Sequence, residues 1–208
     1  MATIEGYPAT LTIDSPEEPR DRLTAFFRPF VAVPILIILA LLSGGTAGWE
    51  SSPWSVGLSS AGLVVLPTLL MILFRQKYPR WWYDWNLNLA RFTVRVGAYM
   101  ALLGDQYPST DEEQAVHLDL VYPDAEADLS RGMPLVKWFL AIPHYIVLAF
   151  LGIAVFVCII ASWFAILFTA KMPRALFDFI VGYMRWELRV AAYAFVLTTD
   201  RYPPFSLD

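Results

Sequence analysis

The chain has 208 residues, of which 57% are hydrophobic and 16% charged, with a mean hydropathy of +0.51. Soluble globular chains carry about 45–50% apolar and about 25% charged residues, so the composition argues against an ordinary soluble domain. The net charge is −4 and the sequence has no basic footprint, which excludes a typical nucleic-acid-binding domain.

The first 22 residues contain prolines and acidic residues rather than the basic start and early apolar core of a signal peptide. Within them, Leu11 to Ile13 alternates apolar and polar residues, as a strand does, before Pro16. Residues 116–121 alternate in the same way before Pro123. We predict that both are short extended segments, and the two could pair with each other.

Apolar residues concentrate in three runs, 29–43, 56–74 and 135–168, which are candidate membrane helices because a span needs roughly 20 apolar residues. A glycine-rich break at 43–48 predicts a turn between the first two runs. The third run would be about 51 Å long as one helix, whereas the hydrocarbon core is about 30 Å thick. Either it folds as a hairpin near Gly152, which we favour, or an interfacial piece before Pro143 precedes one tilted span.

Basic residues flank these apolar regions, and the loop at 43–55 contains none. A hairpin in each region places all of them on one face of the membrane, which the positive-inside rule makes cytoplasmic. We therefore expect four transmembrane segments with both termini in the cytoplasm. The flanking residues are Arg20, Arg22, Arg28, Arg75, Lys77 and Arg80 around the first pair and Arg131, Lys137, Lys171 and Arg174 around the second.

Each apolar region is followed by a predicted helix, over 80–103 and 174–198, with a narrow polar stripe on an otherwise apolar surface. Because ionisable groups at membrane depth are usually paired, our hypothesis is that the stripes face each other. Asp84 would then pair with Arg185 or Arg189, and Asp178 with Arg91 or Arg95. The stripes consist of Asp84, Asn88, Arg91, Arg95 and Tyr99 in the first helix and Asp178, Gly182, Arg185, Arg189 and Tyr193 in the second.

The depth of these striped helices is ambiguous. Trp81, Trp82 and Trp85 cluster at the start of the first one, and tryptophan is enriched at headgroup level. We interpret them as interface anchors and favour helices that lie half-embedded at the interface. In the alternative the helices span, and the second half is inverted as in some transporters.

The chain contains an internal repeat. Residues 72–99 and 166–193 are identical at 12 of 28 aligned positions, and both copies continue to a Tyr-Pro pair, at Tyr107 and Tyr202. Upstream, Arg28 to Pro34 matches Lys137 to Pro143. We predict an all-α integral membrane protein of two tandem pseudo-symmetric repeats, residues 1–110 with an insertion at 43–55 and residues 111–208. Each repeat would hold an extended segment, a transmembrane hairpin and an amphipathic striped helix.

No catalytic, metal or cofactor motif stands out. Cys158 is the single cysteine, and the two histidines, His117 and His144, are too few for a metal site, which generally needs several ligands. The stripe arginines are the sharpest feature, because guanidinium groups suit phosphate geometry. They could bind a lipid headgroup or another anion, or they could form a structural ion-pair network between the halves.

The segments at 134–148 and 163–207, which include the run Pro-Arg-Ala-Leu-Phe-Asp-Phe from Pro173, resemble a family of bacterial membrane proteins known only as a domain of unknown function. The first copy resembles it more loosely. The resemblance implies a multi-pass protein of the bacterial inner membrane and implies no activity.

These observations lead to three functional hypotheses. The first is a non-enzymatic accessory or scaffold subunit that associates with another membrane protein or with itself, or a protein that binds phospholipids through the stripes. The alternative is a small oligomeric transporter or channel whose stripes line a polar path. An enzyme acting on lipids is the weakest hypothesis, because the sequence offers neither a nucleophile motif nor a metal cluster.

Overall fold

A computed structural model of the chain describes residues 6–16, 19–42, 65–110 and 112–208. The predicted turn at 43–48 and the insertion at 43–55 lie outside these residues. In chain order the elements are β1 (Ala9–Ile13), α1 (Arg22–Val31), α2 (Val33–Leu42), α3 (Val65–Arg75), α4 (Arg80–Met100), β2 (Val116–Leu120), α5 (Met133–Leu140), α6 (Ile142–Thr169) and α7 (Arg174–Ala194).

The two predicted extended segments form an antiparallel pair, β1 with β2, in which Leu11 lies opposite Leu118 at the centre. Both leucines are buried, whereas Thr10 and Asp119 are exposed, because successive side chains of a strand point to opposite faces. The pairing therefore confirms the prediction that these two segments are extended and pair with each other. β1 packs on α7, and β2 packs on α4, so each strand rests on a helix from the other half of the chain.

The striped helices α4 and α7 form the central layer. They begin directly after Pro79 and Pro173, whose ψ angles of 134° and 131° are extended rather than helical. Both helices end three to four residues earlier than predicted. A buried leucine with left-handed backbone follows each end, Leu102 with φ of 63° and Leu197 with φ of 60°, and a left-handed residue cannot continue a right-handed helix.

The hairpin predicted near Gly152 is wrong, because α6 runs without interruption from Ile142 to Thr169. Gly152 lies in mid-helix, where a β-carbon would stand 3.3 Å from the Tyr183 hydroxyl of α7. The glycine therefore permits close packing rather than a turn. A separate short helix, α5, precedes Pro143, as the alternative interpretation of this run expected.

An outer layer of apolar helices covers the central one. α6 is the one helix in the described residues that is long and apolar enough to cross a membrane by itself, while α1 and α2 reach that standard only together, bent by 42°. The buried side chains of α6 fall on one face of the helix, and most of its remaining surface is exposed and apolar. The large exposed hydrophobic side chains on α6 are Ile142, Ile146, Phe150, Ile153, Phe156, Val157, Ile160, Phe164 and Phe168.

Candidate functional site

The stripe aspartates pair within their own helices. The Asp84 carboxylate lies 3.3 Å from Arg80, and the Asp178 carboxylate lies 3.1 Å from Arg174. The predicted pairs of these aspartates with arginines of the opposite stripe are therefore wrong. The physical reason is local: an arginine four residues earlier on the same helix face is already within reach of the carboxylate.

Two stripe arginines instead connect the halves through the backbone. The Arg91 Nε donates to the carbonyl of Leu118, at 2.9 Å, and the Arg185 Nε donates to the carbonyl of Leu11, also at 2.9 Å. Leu11 and Leu118 are opposite each other in the strand pair, so the two bonds form a reciprocal arrangement around its centre. Arg91 also pairs with Asp119, at 2.8 Å.

The other two stripe arginines hold the segments that follow the striped helices. Arg95 donates to the carbonyl of Ser109, at 2.8 Å, and Arg189 donates to the carbonyl of Ser206, at 3.2 Å. Arg189 is buried, and the Tyr7 hydroxyl donates to its carbonyl. All four stripe arginines thus bind backbone carbonyls, an arrangement that fixes the strands and tails against α4 and α7.

The stripe tyrosines mark a feature that the sequence interpretation missed. The Arg28 guanidinium lies 4.4 Å from the ring centre of Tyr99, and the Lys137 ammonium lies 5.1 Å from that of Tyr193. Arg28 also binds Asp105, at 2.6 Å, and Lys137 binds Asp200, at 2.8 Å. Each half therefore contains a buried cation held between a tyrosine ring and an aspartate.

Lys137 is the most deeply enclosed of these charges, with a fully buried side chain. Its ammonium also donates to the carbonyl of Thr199, at 2.7 Å. Burial lowers the pKa of Lys137, whereas the hydrogen bond and charge of Asp200 raise it again. The sequence contained a signal for this grouping of a cation, a tyrosine and an aspartate in each half. Arg28 aligns with Lys137, and an Asp-x-Tyr-Pro motif follows each striped helix, at Asp105 and at Asp200.

Three residues of the first stripe, Asn88, Arg91 and Arg95, line an open cavity of about 280 Å³. The cavity lining has mixed charge, because Glu112, Glu113 and Asp119 stand beside the two arginines. Arg185 does not line it. The two stripes therefore do not meet in this cavity.

The predicted interface anchors lie at the start of α4. Trp81 and Trp85 are exposed, and Trp82 donates from its indole to the Thr68 hydroxyl of α3, at 2.7 Å. Among the residues that the structure describes, no three His, Cys, Asp or Glu side chains are grouped to hold a metal ion. His144 is buried and accepts a hydrogen bond at Nδ1 from Trp186, at 3.0 Å.

Residues 133–206 match the model of a family described as a domain of unknown function (DUF4389). The match begins at α5 and ends beyond α7, so it covers the second half of the chain and includes Lys137, Asp200 and the second stripe. This result agrees with the resemblance of residues 134–148 and 163–207 to a domain of unknown function. No curated protein and no solved structure matches the chain.

Proposed function

We propose that this chain is a non-enzymatic membrane protein that serves as an accessory or scaffold subunit of a membrane complex. The observation that carries the proposal is the outer surface of α6, which exposes large apolar side chains along its whole length, from Ile142 to Phe168. An apolar surface of this size requires lipid or a protein partner. The stripe arginines support a structural role, because their hydrogen bonds hold the strands and tails of the same chain.

Two tandem repeats are part of this proposal. The reciprocal bonds of Arg91 and Arg185 support the duplication, and so do the two units of buried cation, tyrosine and aspartate. In the described part of the chain, non-glycine residues with positive φ fall at matched positions of the repeats. They are Gln76 with Ala170, at the offset of 94 residues, and Leu102 with Leu197, at the offset of 95 that also aligns Tyr107 with Tyr202. Agreement in such unusual backbone conformations supports a common ancestor for the two halves.

The layers favour one orientation at the membrane. Leu188 and Ala192 of α7 pack with β1, whereas Trp186 and Val190 of the same helix pack with α6. A strand edge cannot face hydrocarbon, because its free backbone groups would lack hydrogen-bond partners. We therefore place the apolar helices α1, α2 and α6 in the bilayer, the central layer at the interface and the sheet in water.

In this orientation the two ends of the described chain lie on one side, since Arg201 donates a hydrogen bond to the carbonyl of Gly6. The bacterial cytoplasmic membrane, with both ends in the cytoplasm, is the location that we propose. The alternative is a multi-pass topology in which α6 crosses the bilayer. It would bring β1 to membrane depth and would require a partner subunit to cover the strand.

Cysteine labelling decides between these orientations. Arg131 precedes α5 and Lys171 follows α6, so the two exposed residues mark opposite ends of the apolar segment. With Cys158 replaced by serine, we expect Arg131→Cys and Lys171→Cys to react with an impermeant maleimide from the same, cytoplasmic, side of sealed vesicles. Reaction from opposite sides would establish a crossing α6. Release of the protein from membranes by alkaline carbonate would contradict the membrane location altogether.

Co-purification tests the proposed role as a subunit. After expression at native level and extraction in a mild detergent, we expect mass spectrometry to find a membrane protein, or further copies of this chain, in fixed proportion. A monodisperse monomer with neither a protein partner nor retained lipid would argue strongly against a scaffold. The transporter alternative predicts instead a cavity shared by Arg91 and Arg185, and the geometry favours it less because Arg185 does not line the cavity beside Arg91.

A further inference from the structure

A cleft of about 220 Å³ opens where the segment before α1, the loop between α6 and α7 and the first turn of α7 meet. Its described lining contains three cations, Arg20, Lys171 and Arg174, and no carboxylate. Ser15 forms part of one wall, and Phe177 forms part of another. None of these residues belongs to the stripes, so the cleft is separate from the four stripe arginines.

The charges of this cleft are only partly neutralised. Arg20 is buried and shares a single carboxylate, that of Asp105, with Arg28. Arg174 pairs with Asp178 on the exposed surface of α7, where an ion pair contributes little, and its Nη1 donates to the Ser15 hydroxyl at 2.5 Å. Glu17 and Glu18, which follow Pro16 in the sequence, lie outside the described residues.

The other half of the chain contains counterparts of two of these three cations. Lys77 and Arg80 align with Lys171 and Arg174, but Tyr122 stands where Ser15 stands in the first strand segment. The Arg80 guanidinium carbon stacks over the Tyr122 ring, 4.7 Å from the ring centre. The Tyr122 hydroxyl donates to the carbonyl of Tyr78 at 2.5 Å. A tyrosine therefore fills in one half the space that a serine leaves open in the other.

Two exposed apolar side chains lie close in the chain to the cleft residues. Leu23 lies three residues after Arg20 and is 70% exposed, and Phe168 lies three residues before Lys171 and is 76% exposed. The Arg20 amide donates to the carbonyl of Ala170 at 2.8 Å, which ties the cleft to the end of α6. An anion in the cleft would thus lie at the edge of the apolar layer.

We propose that this cleft binds a phosphate group, carried either by an anionic phospholipid or by a soluble phosphate compound. Lys171 and Arg174 would donate hydrogen bonds to the phosphate oxygens, since ammonium and guanidinium groups both bind phosphate. Arg20 would add positive charge from within the wall, and the Ser15 hydroxyl would add a donor. The exposed Leu23 and Phe168 favour the lipid as the source, and this part of the inference rests on the membrane location proposed above.

The difference between Ser15 in one repeat and Tyr122 in the other provides the test of this proposal. We expect the full chain in mild detergent to bind dioctanoyl phosphatidic acid saturably in isothermal titration, and dioctanoyl phosphatidylcholine much more weakly. Ser15→Tyr closes the cleft without changing its charge and should abolish binding, whereas Ser15→Ala should retain it. Lys171→Gln should weaken the affinity roughly tenfold, as expected for the loss of one hydrogen bond from a charged donor. Equal affinity in Ser15→Tyr, or for phosphatidylcholine, would overturn the proposal.

The reverse substitution provides a second test that does not depend on the first variant folding well. Tyr122→Ser should open the corresponding space beside Lys77 and Arg80 and raise the number of phosphatidic acid molecules bound from one to two. An unchanged stoichiometry in a folded Tyr122→Ser protein would overturn the assignment of the cleft to the Ser15 position. Circular dichroism of each variant establishes that it is folded.

Inorganic phosphate identifies the source of the ligand. If it displaces the lipid only at far higher concentration, the ligand is a phospholipid; if it binds as tightly as phosphatidic acid, the ligand is a soluble phosphate compound. Both results support the site, whereas failure of both ligands to bind would overturn it. Carbonate release, by contrast, would refute the membrane location while leaving phosphate binding measurable.

Discussion

Asp200→Ala is expected to lower the free energy of unfolding by about 3 kcal/mol or more, the cost typical of removing one partner from a buried ion pair. The substitution leaves the fully buried Lys137 ammonium with the Thr199 carbonyl and the Tyr193 ring as its remaining partners. It also removes the carboxylate that accepts the Ser130 amide, at 2.7 Å. Chemical unfolding in mild detergent, followed by circular dichroism, measures the change.

The matched control is Asp178→Ala, which breaks an exposed pair with Arg174 and should cost less than about 1 kcal/mol. Adding Lys137→Met to Asp200→Ala removes the uncompensated charge and should restore part of the lost stability. If Asp200→Ala costs no more than Asp178→Ala, the buried pair does not stabilise the fold. If Lys137→Met restores nothing, the effect of Asp200 runs through the Ser130 amide instead.

Gly182→Ala is expected to destabilise the protein by about 1–3 kcal/mol, the range for forcing extra volume into a packed site. A β-carbon at Gly182 would stand 2.7 Å from the backbone oxygen of Leu207 and 2.9 Å from its β-carbon. Backbone cannot move aside as a flexible side chain can, so the segment after Phe205 would lift from α7. The hydrogen bond from Arg189 to the Ser206 carbonyl would be lost with it.

Gly97→Ala is the control for this substitution, because Gly97 is also helical but faces only the mobile end of Met184, at 3.5 Å. There the change should be neutral or stabilising by up to about 1 kcal/mol, the difference in helix propensity between glycine and alanine. In a variant lacking Ser206 to Asp208, Gly182→Ala should lose its cost. A cost that persists in the shortened variant would show that the clash with Leu207 is not its origin.

The striped helices and the strand pair were predictable because they depend on local pattern. The helical periodicity of the polar stripe predicted the bounds of α4 and α7 to within a few residues, and each helix begins directly after a proline, Pro79 or Pro173. Alternation around Leu11 and Leu118 indicated strands. The ends of the helices were missed because Leu102 and Leu197, which adopt left-handed backbone, carry none of the usual signals of a helix end.

The contacts between elements were less predictable. Every residue has a backbone carbonyl, so the sequence does not indicate which carbonyl accepts a hydrogen bond from Arg91 or Arg185. The prediction therefore paired the stripe arginines with carboxylates of the opposite stripe. Gly152 was interpreted as a turn because the hairpin expected in the first repeat favoured a hairpin at the corresponding place in the second. Its real role, contact with Tyr183, depends on how α6 packs against α7.

The reciprocal placement of the strands has a consequence for synthesis of the chain. Leu11 receives its hydrogen bond from Arg185, 174 residues later, and β1 packs on α7. At about 5–20 residues per second, a ribosome needs roughly 10–35 s to cover that distance. During this interval β1 lacks the helix on which it rests, so nascent chains that stop before α7 carry an unsupported N-terminal strand, which quality-control proteases and chaperones can recognise.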